Sequence, residues 1–285
     1  MTPIKNPLIK SFTLFLFPAW MLFSCLLPVS PVFGQDAAVL MAPTRVVFEG
    51  RTRATTVKLI NPNKTPQTYQ ISLISIRMDE YGTRTEVLEP NEAELFAQSM
   101  IQFSPKRATL APQGWQTVRV MVRKPADLPE GEYRAQLKVS PVPGEKTPGS
   151  RENTENIAIN IDIVFHVSIP IIIRHGKVDA TVAPLAPRLV TRDQGHFLET
   201  RIERSGAASV FADVKAFFTP LDRPGQRIPV GEVKGISIYA QNPDQTIYLP
   251  VKDKEALTRG KVDIEITNRE KKDGPVMALK SFDFN

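Results

Sequence analysis

Cysteine is nearly absent: the one residue, Cys25, falls within the first 34 positions. Histidine is scarce as well, and His166 and His175 are an odd number of positions apart, so a continuous strand points them to opposite faces. His196 lies farther along in a turn-like stretch. There is no His-x-x-x-His pair, no cysteine pair and no EF-hand-like loop, so neither a metal nor a cofactor is expected. Gly-x-Ser-x-Gly elbows and phosphate-cradling glycine loops are missing, which argues against an enzyme. Glu130/Glu132 and Glu152/Glu155 sit in turns and read as solvating charge. No Lys/Arg-rich block is interleaved with aromatics, which disfavours nucleic acid as a partner. Past residue 34 no apolar run reaches the roughly 20 residues that a transmembrane helix needs.

The first 34 residues read as targeting sequence. MTPIKNPLIK carries Lys5 and Lys10 with no acid, SFTLFLFPAWMLFSCLLPV is apolar, and PVFG sets Val32 and Gly34 ahead of a cleavage point. That is the pattern of a cleaved signal peptide, with a signal anchor or a lipid on Cys25 as alternatives. Cleavage would remove the only cysteine and leave a chain without disulfides in a compartment that permits them. Losing Lys5 and Lys10 takes the net charge from +6 to +4, which is mild and dispersed.

Proline is abundant, 25 of 285 residues, and long helical patterns are missing, a combination that favours short strands and many turns. Strand-like stretches occur at 39–50, 54–61, 67–78, 100–112, 115–125 and 131–142, with a hairpin excursion around Tyr81-Gly82 and a turn at Asn61-Pro62-Asn63. Residues 89–100 have helix-friendly composition and read as a short connector. A polar loop rich in Pro and Gly, 142–155, precedes a long strand. Past Gly176 the pattern restarts as a second all-β unit. The fold class expected is therefore all-β: two immunoglobulin-like β-sandwich domains, at 35–175 and 176–285, after a signal peptide at 1–34.

The long strand, NIAINIDIVFHVSIPIII at 156–173, has a hydrophobe at every second position: Ile157, Ile159, Ile161, Ile163, Phe165, Val167, Ile169 and Ile171. At ~3.3 Å per residue the run from Ile157 to Ile171 could reach roughly 50 Å, more than one sandwich core spans. Part of the ladder must be core. The excess suits a strand lent to another protein, with backbone hydrogen bonds supplying affinity and side chains filling a groove.

The stretches PTRVVFEG (43–50), KLINPN (58–63), FSPKRATLAPQGWQTVRV (103–120), KPADLPEGEY (124–133) and IIIR (171–174) resemble the periplasmic pilus chaperones of the chaperone–usher pathway, and the long 142–155 loop is similar to their long-loop branch. The resemblance implies two immunoglobulin-like domains set at an angle and a periplasmic location. The implied partners are pilus, fimbrial or other surface-fibre subunits, capped by donor-strand complementation, and an outer-membrane usher; free chaperone can self-associate. Arg45 matches the cleft arginine that binds the subunit's terminal carboxylate. Ile157, Ile159, Ile161, Ile163 and Phe165 match the donor hydrophobes, Arg174 an interdomain arginine and Arg107 a structural one. The family's cleft lysine has no counterpart: Pro170 and Ser168 occupy that region, which leaves Lys106 or backbone donors to substitute. Two other readings compete: a secreted structural protein or fibre subunit, against which the short 35–40 segment counts, and a secreted hydrolase, against which the missing nucleophile counts.

Overall fold

The computed structural model describes residues 37–143, 164–254, 257–271 and 273–285. Their strands build two β-sandwiches. The first contains β1 (Leu40–Ala42), β2 (Val46–Phe48), β3 (Ala54–Ile60), β4 (Gln67–Met78), β5 (Arg84–Val87), helix α1 (Glu92–Ser99), β6 (Ile101–Ser104), β7 (Arg107–Leu110), β8 (Trp115–Val122), β9 (Gly131–Pro141) and β10 (Val167–His175). One sheet runs β1-β3-β8-β6; the other runs β2-β10-β9-β4-β5, with β7 also on β4. The inward residues of both sheets, among them Phe48, Val57, Leu59, Ile71, Val118, Val120, Leu137, Val139, Ile169, Ile171 and Ile173, form one continuous core.

Two stretches that read as single strands are each divided between the sheets. In 39–50, β1 pairs with β3 as far as Ala42, and after Pro43 the chain resumes as β2 against β10. In 100–112, β6 pairs with β8 as far as Ser104, and after Pro105 the chain resumes as β7 against β4. Proline lacks the N–H that would continue the ladder. Arg45 thus sits at the crossing point between sheets.

The connector at 89–100 is a two-turn helix. Asn91 and Glu94 form a reciprocal capping box, each side chain bonding the other's backbone N–H. Both oxygens of Glu94 also accept from Arg77, at 3.0 Å each. Burial opposes ionisation of Glu94, but these donors outweigh it and hold its carboxyl below the usual range. The turn at Asn61 is pinned from inside: its buried amide donates to Thr65 O and Ala111 O while its Oδ1 accepts from Asn63 N.

The second sandwich holds β11 (Ala180–Pro184), β12 (Arg188–Arg192), β13 (Gly195–Gly206), β14 (Val210–Pro220), β15 (Ile228–Ile238), β16 (Asp244–Val251), β17 (Gly260–Asn268) and β18 (Val276–Phe284). One sheet runs β11-β13-β12 with β16 on β13, the other β15-β14-β17-β18. β12 escapes the sequence reading because RLVTR offers only one half-buried position. β14 shows the opposite extreme, alternating buried and half-buried over all its residues around Val214, Ala216 and Phe218.

One strand supplies a paired test of this picture. Ile171 is fully buried, so Ile171→Ala should lower the urea-unfolding free energy by about 2–5 kcal/mol. Phe165 lies just before β10 and is 46% exposed, so Phe165→Ala should change it by less than about 0.5 kcal/mol. Equal effects from the two would refute the burial gradient along this segment.

Candidate subunit-binding strand and arginine cluster

β10 is paired unequally on its two sides. On one side it is antiparallel to β9 over its whole length, from Val167↔Val139 to His175↔Gly131. On the other it is parallel to β2 only over Ile171–Ile173. Among the described residues, Val167–Pro170 therefore keeps one open edge. Burial changes along the same line. Val164 and Phe165 are exposed, Val167 is half-buried, and Ile169 and Ile171 are core. His166 Nδ1 lies 2.8 Å from Ser140 Oγ on the neighbouring strand. Ile157, Ile159, Ile161 and Ile163 lie outside the described residues.

The opposite face of β10 is buried as well. Pro170, Ile172 and Arg174 alternate with the core isoleucines and are buried too, and Arg174 reaches Glu270 of the second sandwich. Pro170 pairs in register with the buried Gln136, and Ile172 with Arg134. The β2 register sets Val46 beside Ile171; one residue back, Arg45 comes level with Pro170.

Arg45 does not stand open. Its side chain is 8% exposed, and its Nε and Nη2 both reach Glu270 Oε1 at 2.8 Å. Nη2 also donates to Ser209 Oγ at 2.9 Å and Nη1 to Ser237 Oγ at 3.4 Å, with the guanidinium 5.0 Å from the Phe211 ring centroid. Arg174 uses the rest of the same carboxylate: Nη1 donates to Glu270 Oε2 at 2.8 Å, Nε to Glu132 Oε2 at 3.0 Å and Nη2 to Ser209 O. Glu132 Oε2 additionally accepts from Ser209 N at 2.9 Å. Burial works against the charge on Arg174, yet the bonds and fields of Glu270 and Glu132 prevail and raise its pKa.

A third guanidinium, Arg134, lies 3.6 Å from the Tyr239 ring centroid and donates to Ile76 O, while its buried Nη1 has no partner. Desolvation lowers its pKa despite the nearby Tyr239 and Glu132. Lys106 sits elsewhere, on the turn between β6 and β7, its ammonium 3.3 Å from the Phe103 ring centroid. Arg107 is exposed at the start of β7.

Sequence reasoning takes Glu132 for a solvating turn charge, although it lies on β9 with its side chain only 2% exposed, and it passes over Arg134, Ser209, Ser237 and Glu270. Strand parity gives a signal for the first two, which stand opposite Arg174 and Ile172 in the β9–β10 register. The other three come from the second sandwich and have no sequence spacing to Arg45. Removing Arg174 would strand the almost fully buried Glu132 carboxylate. Arg174→Ala should therefore cost about 3–5 kcal/mol in denaturant unfolding. Adding Glu132→Gln should recover part of that loss; an additive second loss would contradict the pairing.

Residues 38–175 match the profile of the pili and flagellar-assembly chaperones, PapD N-terminal domain. No curated relative matches the chain. Among solved structures, the YadV chaperone is 14% identical, with 86% of this chain and 99% of that one covered at a TM-score of 0.44. The CupB2 chaperone of Pseudomonas aeruginosa is 18% identical, with 86% and 98% covered at 0.42. The E. coli chaperone DraB is 11% identical, with 87% and 98% covered at 0.43. Likenesses of that size say nothing about activity, and the assignment rests on the profile match: residues 38–175 belong to the PapD N-terminal domain family of pili and flagellar-assembly chaperones.

Proposed function

We propose that the chain is a periplasmic chaperone that completes the fold of pilus, fimbrial or other surface-fibre subunits with its own strand. In this reading residues 1–34 are removed on export, 35–175 form the subunit-binding domain, and 176–285 form a second domain joined to it through Arg174. The observation that carries the reading is the open edge at Val167–Pro170, together with the passage from core Ile169 to exposed Phe165 along one face. A subunit strand added at that edge satisfies backbone groups on both sides. Phe165 and the isoleucines that precede it at alternate positions then enter the subunit's unfinished core. Membership of a pilus-chaperone family supports the same conclusion.

The chemistry is pairing rather than catalysis. Arg45 receives the subunit's terminal carboxylate, and an outer-membrane usher takes the complex onward. Free chaperone shields its ladder by self-association. Each isoleucine buried in the subunit contributes about 1.5–3 kcal/mol, so losing two weakens capture by at least about a hundredfold.

Ile161→Asp with Ile163→Asp should accordingly abolish recovery of a subunit in a periplasmic pull-down, with the circular dichroism spectrum and urea midpoint of the chaperone unchanged. Undiminished recovery would rule out donation of this strand. The copurified protein, identified by mass spectrometry, should be small and β-rich.

A further inference from the structure

The anchor assigned to the subunit's terminus is already holding a carboxylate, and it belongs to the protein itself. We propose that Glu270 is a built-in competitor at Arg45, so that subunit capture exchanges one carboxylate for another instead of adding one to a free cation. This inference rests on the reading of Arg45 above and concerns what sets its selectivity.

Three features of the geometry support exchange. First, Glu270 divides its oxygens: Oε1 serves Arg45, while Oε2 serves Arg174 at 2.8 Å. Releasing Arg45 leaves the carboxylate still paired, which removes the usual penalty for orphaning a buried charge. Second, the backbone beneath it is fixed. Asn268 Oδ1 accepts from both Glu270 N and Lys271 N, at 2.8 and 3.1 Å, so the side chain is the moving part. Third, the position Oε1 would vacate is suited to another carboxylate. Arg45 offers Nε and Nη2 on one edge. Ser209 and Ser237, both buried, accept from Arg45 and keep their hydroxyl hydrogens to donate.

The consequence is discrimination. Any free carboxylate must first displace Glu270, which is tethered at high effective concentration. A carboxylate delivered on a strand already paired with β10 is tethered too, and only such a ligand competes on equal terms.

The test uses acetate as the probe and the NMR signal of the Arg45 Nε–H in the full mature chain, assigned by its loss in Arg45→Lys. Wild type should show no saturable response. Glu270→Gln should bind acetate at least about tenfold more tightly, and Glu270→Asp should restore wild-type behaviour. An equal response in wild type and Glu270→Gln, or none in Glu270→Gln, overturns the proposal. Should Glu270→Gln unfold, Arg174→Met combined with Glu132→Gln, with and without Glu270→Gln, gives the same comparison with neither an unpaired Arg174 nor an unpaired Glu132. A wild type that recovers no subunit would sink the chaperone reading and leave the acetate result standing. Normal recovery with a failed acetate comparison sinks only the exchange.

Discussion

A β-strand can bond on two sides, and β10 is bonded on both for three residues only. The complete ladder to β9 fixes its register, and register decides which side chains face where. Because Ile169, Ile171 and Ile173 enter the core, Pro170, Ile172 and Arg174 take the other face, from which Arg174 reaches the second sandwich. A slip by one residue would send the arginine into the core and the isoleucines into the charged cluster. The position of Arg174 against Glu132 and Glu270 thus follows from the packing of three isoleucines.

The same strand meets two opposed demands. Its C-terminal half must stay sealed, because it closes the sandwich between β2 and β9. Its N-terminal half keeps a free edge, which in an ordinary protein invites aggregation. Pro170 stands at the transition. It cannot donate a backbone hydrogen bond, so any chain pairing along the open edge meets a gap just before β2 begins.

Alternation made much of the fold readable, since 54–61, 67–78, 115–125 and 131–142 each became one strand with the expected inward face. The errors share a cause. Residues 39–50 and 100–112 alternate adequately, but a period does not say which sheet a strand belongs to, and Pro43 and Pro105 move the chain between them. Helix α1 depends on the Asn91–Glu94 capping box more than on an apolar stripe, so composition alone left it a connector. Within the arginine cluster, Arg45 and Arg174 were picked out only by the resemblance to pilus chaperones, since pattern alone makes each an ordinary charge beside a strand. Glu270, Ser209 and Ser237 were not, because only the docking of one sandwich on the other brings them near.

That docking also explains why so polar a contact persists where burial penalises charge. Buried ion pairs seldom add net stability, since desolvation offsets most of their attraction. They do punish misalignment, because a displaced partner leaves an uncompensated charge in a poorly solvated place. Glu270 has both oxygens committed to different arginines, and Arg174 divides itself between carboxylates from each sandwich. With such sharing, losing one bond of Glu270 leaves its other oxygen paired, whereas a general displacement uncovers several charges at once.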